Sequence, residues 1–173
     1  MTQKRGLIHL YCGDGKGKTT AAMGLCMRAA GAGLQVVVVQ FLKNGDSSEL
    51  SILSAHKNVT VLAGKGGDKF TCRMTDAEKA AARTIHDKNL DAALAMPCDL
   101  LLLDEAAAAC RLGLVDEKKV KALCQNKPPR LELVLTGRNP PDFMVQAADY
   151  ITEMRCVRHP YQQGIGARKG IEF

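Results

Sequence analysis

Two stretches of this chain, Val36-Val37-Val38-Val39 and Leu100-Leu101-Leu102-Leu103, are aliphatic at every position. A strand with one wet face alternates apolar and polar residues. A strand apolar throughout has to be covered on both sides, which is the habit of parallel sheets wrapped by helices. The first run, continuing through Gln40 to Phe41, is also β-branched over its valines, and that favours pleated backbone. Further short apolar segments lie at Leu7 to Tyr11, Val59 to Leu62, Leu131 to Thr136 and Tyr150 to Met154, with helical patterns between them. Strands alternating with helices predict an α/β fold with a mainly parallel sheet and helices on both faces.

The helices are marked by their ends. A small-residue helix is predicted from about Thr19 to Ala32, with Gly31 and Gly33 to stop it. Thr75 with Glu78 three residues on forms a capping box, opening a helix that runs to about Ala95 and halts before Pro97. Asp116 is an N-cap candidate for a helix ending before Pro128-Pro129, Pro141 to Ala148 reads as another, and a short one is expected near Glu49. Ala63 to Met74 is rich in glycine and lysine and reads as a long loop and a candidate binding loop. The tail from Cys156 is basic and without periodicity. With no repeat and no linker, the 173 residues predict a single domain, 1–173.

Composition narrows the function classes. No segment reaches the roughly 18 apolar residues of a membrane helix. The first apolar segment is too short, and too soon followed by charge, for a signal peptide, so a cytoplasmic protein without membrane attachment is expected. Seven cysteines, at 12, 26, 72, 98, 110, 124 and 156, include no Cys-x-x-Cys and fall partly inside apolar runs. They read as reduced, buried thiols. The formal net charge of +6 suits either nucleic acid or a polyanionic small molecule, but aromatics are only 4% and there is no Trp, poor material for stacking bases.

Chemistry enters at Gly13-Asp14-Gly15-Lys16-Gly17-Lys18-Thr19-Thr20, between a strand and a helix. Glycines allow successive N–H groups to turn around an anion, and the helix N-terminus adds its positive end. Lys18 brings a point charge to terminal phosphates, and the Thr19 hydroxyl is a magnesium ligand candidate. The common G-x-x-x-x-G-K-[ST] pattern would place glycine at position 12, where this chain has Cys12, and Lys16 adds a second cation. The run Leu100 to Leu103 ends in Asp104-Glu105, carboxylates placed to hold magnesium directly or through water. Thr136-Gly137-Arg138 ends a further strand, so Arg138 should emerge at the same sheet edge and bridge phosphate oxygens. Guanine recognition is disfavoured, because Asn126-Lys127-Pro128-Pro129 has Pro129 where N-K-x-D needs aspartate. These residues leave open a P-loop, RecA-like ATPase stimulated by nucleic acid, an ATP-binding regulatory module, and a transferase.

Ordered matches over nearly the whole chain resemble the ATP:corrinoid adenosyltransferases of the P-loop type. They include Gly13 to Ala22, Val39-Gln40-Phe41-Leu42-Lys43, Phe70-Thr71, Leu103-Asp104-Glu105, Thr136-Gly137-Arg138, Ala148 to Met154, His159-Pro160 and Gly170 to Phe173. The resemblance implies attack of a Co(I) corrinoid on the 5′ carbon of Mg·ATP, with tripolyphosphate leaving and ATP held in reverse of most P-loop enzymes. It implies catalytic roles for Lys18, Arg138 and Phe70, and ATP contacts from Gly13, Asp14, Gly15, Lys16, Gly17, Lys18, Thr19, Thr20 and Arg138. Magnesium falls to Thr19, Asp104 and Glu105, and the corrinoid is cobalamin or cobyrinic acid a,c-diamide. In the family, Phe-Thr-Trp closes a glycine-rich segment against the corrin, whereas here Phe70-Thr71 is followed by Cys72. A corrinoid-binding member without transfer activity is therefore a further alternative. His159 reads as structural rather than as a cobalt ligand. An electron-donating reductase and a homodimer are expected, with no nucleic-acid partner. The chain opens almost directly on its first strand, so the N-terminal extension with which some members cover a partner's active site is expected to be missing.

Overall fold

The computed structural model describes residues 5–45, 47–64 and 73–171. Among them, β1 (Ile8–Cys12), β2 (Val36–Gln40), β3 (Val59–Ala63), β4 (Leu100–Asp104), β5 (Glu132–Thr136) and β6 (Tyr150–Glu153) form one sheet in the order β3-β2-β4-β5-β1-β6. Every pairing is parallel. Six helices connect or flank the strands: α1 (Lys18–Gly31), α2 (Ser48–Leu53), α3 (Asp76–Ala95), α4 (Ala106–Arg111), α5 (Glu117–Asn126) and α6 (Asp142–Ala147). A 3₁₀ turn, Pro160–Gln163, lies in the tail. None of the described helices is long and apolar enough to cross a membrane.

The continuous apolar runs are explained by the two cores they separate. Val36, Val38, Leu100, Leu102 and Val134 pack with Ala22, Met23 and Cys26 of α1 and Leu50 and Leu53 of α2. The intervening residues Val37, Val39, Leu101, Leu103, Leu133 and Leu135 face Leu90 of α3, Ala106, Ala107, Ala109 and Cys110 of α4, Val120 of α5 and Met144 of α6. Successive side chains of a strand point to opposite faces, so a run of four leucines feeds both cores. Truncating one of these buried leucines to alanine costs about 2–5 kcal/mol.

The predicted helix ends are realised. Thr75 and Glu78 form the reciprocal capping box of α3, and Asp116 caps α5 by accepting from the Lys118 N–H. Helix α1 ends through Gly33, whose φ of 84° lets its N–H reach Ala30 O at 2.9 Å while the Leu34 N–H reaches Ala29 O at 3.1 Å. Helix α4 has no counterpart in the sequence reading. Its four alanines follow two carboxylates without a capping signal, and it forms because Ala106, Ala107 and Ala109 are small enough to be fully buried beneath the sheet. The loop expected over Ala63 to Met74 falls mostly outside the described residues. The described cysteines are free thiols, as expected, and burial pushes Cys26 and Cys110 up to about 12.

Helix α3 also supplies the support for the chain leaving β2. His86 is fully buried, with Nδ1 2.8 Å from Leu114 O and Nε2 3.3 Å from the Leu42 N. Since the Leu42 N–H can only donate, Nε2 is the acceptor and Nδ1 carries the proton. The ring meets Phe41 edge-on with centroids 5.4 Å apart. Burial, the largest influence, lowers the His86 pKa, and the Leu114 carbonyl pulls the other way. The unfolded chain therefore binds a proton more readily, and stability is full above about pH 6.5 and declines as pH falls through the depressed native value. In urea denaturation at pH 7.5 and 5.5, His86→Phe is expected to be less stable at pH 7.5 and to lose less on acidification than the wild type. An equal loss in both proteins would remove His86 from the acid response.

Candidate active site

Three neighbouring strands, β2, β4 and β5, each close on a polar residue that water does not reach: Gln40, Asp104 and Thr136, all 0% exposed. Gln40 lies in register with Asp104, and Leu103 with Leu135, so the three side chains form a row at the carboxyl edge on the α1 face. Just beyond this edge the backbone turns through left-handed conformations at non-glycine residues, Leu42 and Glu105 at φ 60° and Asn139 at φ 48°. Such conformations cost on the order of 1–3 kcal/mol each and persist where the surroundings over-determine them. Here they lie next to the buried Asp104 and the groups bonded to it.

Asp104 is the centre of that cluster. Its Oδ1 accepts from the Thr19 hydroxyl at 2.9 Å and from the Thr136 hydroxyl at 2.7 Å. Its Oδ2 accepts from Lys43 Nζ at 2.9 Å and from Gln40 Nε2 at 3.2 Å. Four donors match the roughly four lone-pair sites of a carboxylate. Lys43 Nζ also donates to Thr19 Oγ1 at 3.1 Å. Thr136 in turn accepts from the Glu105 N–H at 2.8 Å, which fixes the start of α4. The Glu105 carboxyl is raised above its ordinary pKa by burial first and by Asp104 second, against the pull of Lys43, Lys18 and Arg138.

The phosphate loop joins β1 to α1 as the sequence predicts. Gly13 and Gly17 have φ of 98° and 116°, and a Cβ on Gly13 would stand 2.4 Å from Met154 O. Gly15 N–H donates to Met154 O at 2.7 Å, and Asp14 accepts from the Cys156 N–H at 3.1 Å, so the chain leaving β6 straps the loop. That bond is the first cause of a lowered Asp14 pKa. Lys18 is buried and folds its ammonium back onto Gly15 O at 2.7 Å. Its pKa is lowered chiefly by burial and next by the charge of Arg138, two residues past the end of β5. Thr20 and Lys16 are exposed. Lys16 lines a cavity of about 720 Å³ with Arg155, Arg158, Val157, Tyr161 and Ile165.

The edge thus gathers Lys18, Thr19, Asp104, Glu105 and Arg138, which were singled out from sequence. It adds Lys43, Gln40 and Thr136, which stood in the quoted segments Val39 to Lys43 and Thr136 to Arg138 without a role of their own. Their signal was visible as one polar residue closing each apolar run, and as a lysine three residues beyond the first of them. Phe70 and Cys72, expected to face a corrin ring, lie outside the described residues. His159 caps the 3₁₀ turn by accepting from the Tyr161 N–H, a structural role as expected. Arg28 stands exposed in the last turn of α1, at the end remote from the loop.

The donor set fits magnesium on two observations. Thr19 Oγ1 and the Asp104 carboxylate already converge on a cation, the Lys43 ammonium. Beside them Gln40 Oε1 is buried without a hydrogen-bond partner, an acceptor for a metal-bound water. Among the described residues no three His, Cys, Asp or Glu cluster as a metal cage. Magnesium ordinarily uses one or two carboxylates together with substrate phosphates and water.

Comparison with known proteins gives the same direction. The family model described as ATP:corrinoid adenosyltransferase BtuR/CobO/CobP matches residues 4–173. A corrinoid adenosyltransferase of Pseudomonas aeruginosa is 34% identical over 172 residues, 98% of this chain and 85% of the relative. One from Sinorhizobium sp. is 33% identical over 99% of this chain and 82% of its own length. One from Escherichia coli K12 is 31% identical over 98% and 87%.

The strapped loop yields a test of the site. Gly13→Ala forces a side chain into a positive φ and onto a carbonyl, and is expected to cost roughly 1–3 kcal/mol of stability and about tenfold or more in ATP affinity. Gly24→Ala, on the exposed side of α1 with open space around the added methyl, is expected to leave affinity unchanged and stabilise by roughly 0.5–1 kcal/mol. Thermal melts and calorimetric titration of ATP separate the two. Equal behaviour would mean that the loop's close packing plays no part in binding.

Proposed function

The chain belongs to the ATP:corrinoid adenosyltransferase family, and from that premise we propose that it alkylates a Co(I) corrinoid with the 5′-deoxyadenosyl group of Mg·ATP. The corrinoid supplies the electron pair that forms the cobalt–carbon bond. The C5′–O bond breaks, and its electrons leave with tripolyphosphate as cobalt passes formally from Co(I) to Co(III). The observation that carries this reading is the bond between Thr19 and Asp104, which ties the phosphate loop to the strand-end carboxylate beside the Lys43 ammonium.

The residues suit a reaction whose nucleophile arrives with the substrate. Cys12, at the foot of the loop, is no thiolate, since burial raises its pKa with Glu153 adding to the effect. What the protein supplies is positioning and stabilisation of a departing polyanion. In this proposal the loop from Gly13 to Thr20 holds the triphosphate through N–H groups other than that of Gly15, which Met154 O accepts, with Lys18 swinging from the Gly15 carbonyl to a phosphate oxygen. Lys16 and Arg138 add charge from the loop mouth and from the end of β5. Thr19, Asp104 and Glu105 are the groups to hold magnesium, which when bound neutralises charge on the polyphosphate. The cavity beside Lys16, with apolar walls and a cationic rim, suits a largely apolar part of a substrate lying next to a polyphosphate.

Phe70 is assigned to the corrin face on the family resemblance, and the acceptor is cobalamin or cobyrinic acid a,c-diamide. One domain spanning 1–173 carries these functions, acting in the cytoplasm as a homodimer and receiving Co(I) from an electron-donating reductase. A nucleic-acid-stimulated ATPase, a regulatory ATP-binding module and a corrinoid binder without transfer activity are the readings that the assay must exclude.

The test is an anaerobic assay with ATP, magnesium and chemically reduced cobalamin. The expected products are a light-sensitive alkylcobalamin and intact tripolyphosphate, and Lys18→Ala is expected to lower kcat/KM by roughly 100- to 1,000-fold. Orthophosphate without alkylated corrinoid would overturn the transferase in favour of an ATPase. Corrinoid binding without either product would leave a binding protein.

A further inference from the structure

Among the described residues, every donor to Asp104 but one is anchored. Gln40 and Thr136 are fully buried, and withdrawing either would strand a polar group away from water. Thr19 is fixed by the first turn of α1. Lys43 differs, because its side chain keeps 32% of its exposure while Asp104 has none. Its long stem can rotate and return the ammonium to solvent without disturbing a core residue. Its backbone, by contrast, is held, since the preceding residue Leu42 is pinned at φ 60° by the buried His86. Lys43 therefore sits on a fixed mount with a movable charge, and that charge contacts both Thr19 Oγ1 and Asp104 Oδ2.

We propose that Lys43 is the resident counter-ion of the magnesium position: its ammonium holds Thr19 and Asp104 in their converged arrangement, and Mg·ATP binds by displacing it. Asp104, walled off from water, is thereby never without a cation. The exchange substitutes one cation for another on the same two oxygens, so the buried carboxylate remains compensated throughout. The fraction of molecules with Lys43 docked is subtracted from those ready to take magnesium, and the apparent metal affinity falls by that factor. Lys43 is in this sense a positioning residue that also sets the magnesium requirement. A lysine that served only as a phosphate ligand would have the opposite effect when removed.

This inference rests on Thr19 and Asp104 as the magnesium-side groups, and the experiment tests that basis separately. ATP is titrated calorimetrically into wild type, Lys43→Met and Thr19→Ala across a series of magnesium concentrations. Lys43→Met is expected to reach half-maximal ATP binding at roughly tenfold lower magnesium than wild type. Melting without nucleotide gives a second readout. Lys43→Met should melt below wild type in EDTA and be raised by magnesium chloride alone, whereas wild type should not respond to the metal alone. An unchanged magnesium requirement in Lys43→Met overturns the proposal. So does weaker ATP binding at every magnesium concentration, which would make Lys43 a phosphate ligand. If Thr19→Ala leaves the magnesium requirement unchanged, the metal lies elsewhere and the reading of the site itself fails. If Thr19→Ala raises it while Lys43→Met does not lower it, the site stands and the role of Lys43 falls.

Discussion

A carboxylate shut away from water has to be compensated on every side, and Asp104 sets that condition for the whole carboxyl edge of the sheet. Leaving such a group unpaired would cost several kcal/mol, a large part of the net stability of a domain. Its four partners come from four places: the first turn of α1, the end of β2, the loop after β2 and the end of β5. The strand order makes that possible, because β4 lies between β2 and β5. Placing β5 between β4 and β1 also brings Thr136 and Arg138 toward the phosphate loop rather than to a remote edge. Topology and electrostatics at this site are one problem with one solution.

The same crowding defines what chemistry the edge can support. Lys18 is held partly dehydrated beside a second cation, Arg138, and its proton affinity is correspondingly reduced. Glu105, half-buried next to Asp104, is shifted the other way. Both displacements are of the sign that an incoming polyanion with its metal would relieve. A tripolyphosphate leaving group satisfies the cations, and a divalent ion satisfies the carboxylates. On the proposed reaction, the protein's contribution is this waiting imbalance of charge.

The fold was legible because the chain states it redundantly. Val36–Val39 and Leu100–Leu103 can only be strands covered on both faces, and Thr75, Glu78 and Asp116 announce helix starts by side chains that bond the backbone locally. Helix α4 was not legible, since alanines carry no periodicity and its stability comes from burial against the sheet. Of the site, the loop and Asp104-Glu105 were readable as local motifs. Gln40, Thr136 and Lys43 stood in matching segments, but their part in the site was not readable, because it depends on which strands are neighbours, and strand order is a long-range property that no local pattern encodes. A polar residue at the end of an apolar run signals only that something waits there, not what.

The strap from β6 onto the phosphate loop has a kinetic meaning. Gly13 and Gly15 lie against the backbone of Met154 and Arg155 so closely that not even a methyl group would fit, and the Gly15 amide is already spoken for by a carbonyl. A loop packed in this way is cast when the domain folds and not when the nucleotide arrives. The entropy of ordering it is charged to folding and the cradle is preorganised, so on the proposed function the encounter with ATP would be governed by diffusion to the open mouth at Lys16 and by ion exchange within, rather than by waiting for the loop to take shape.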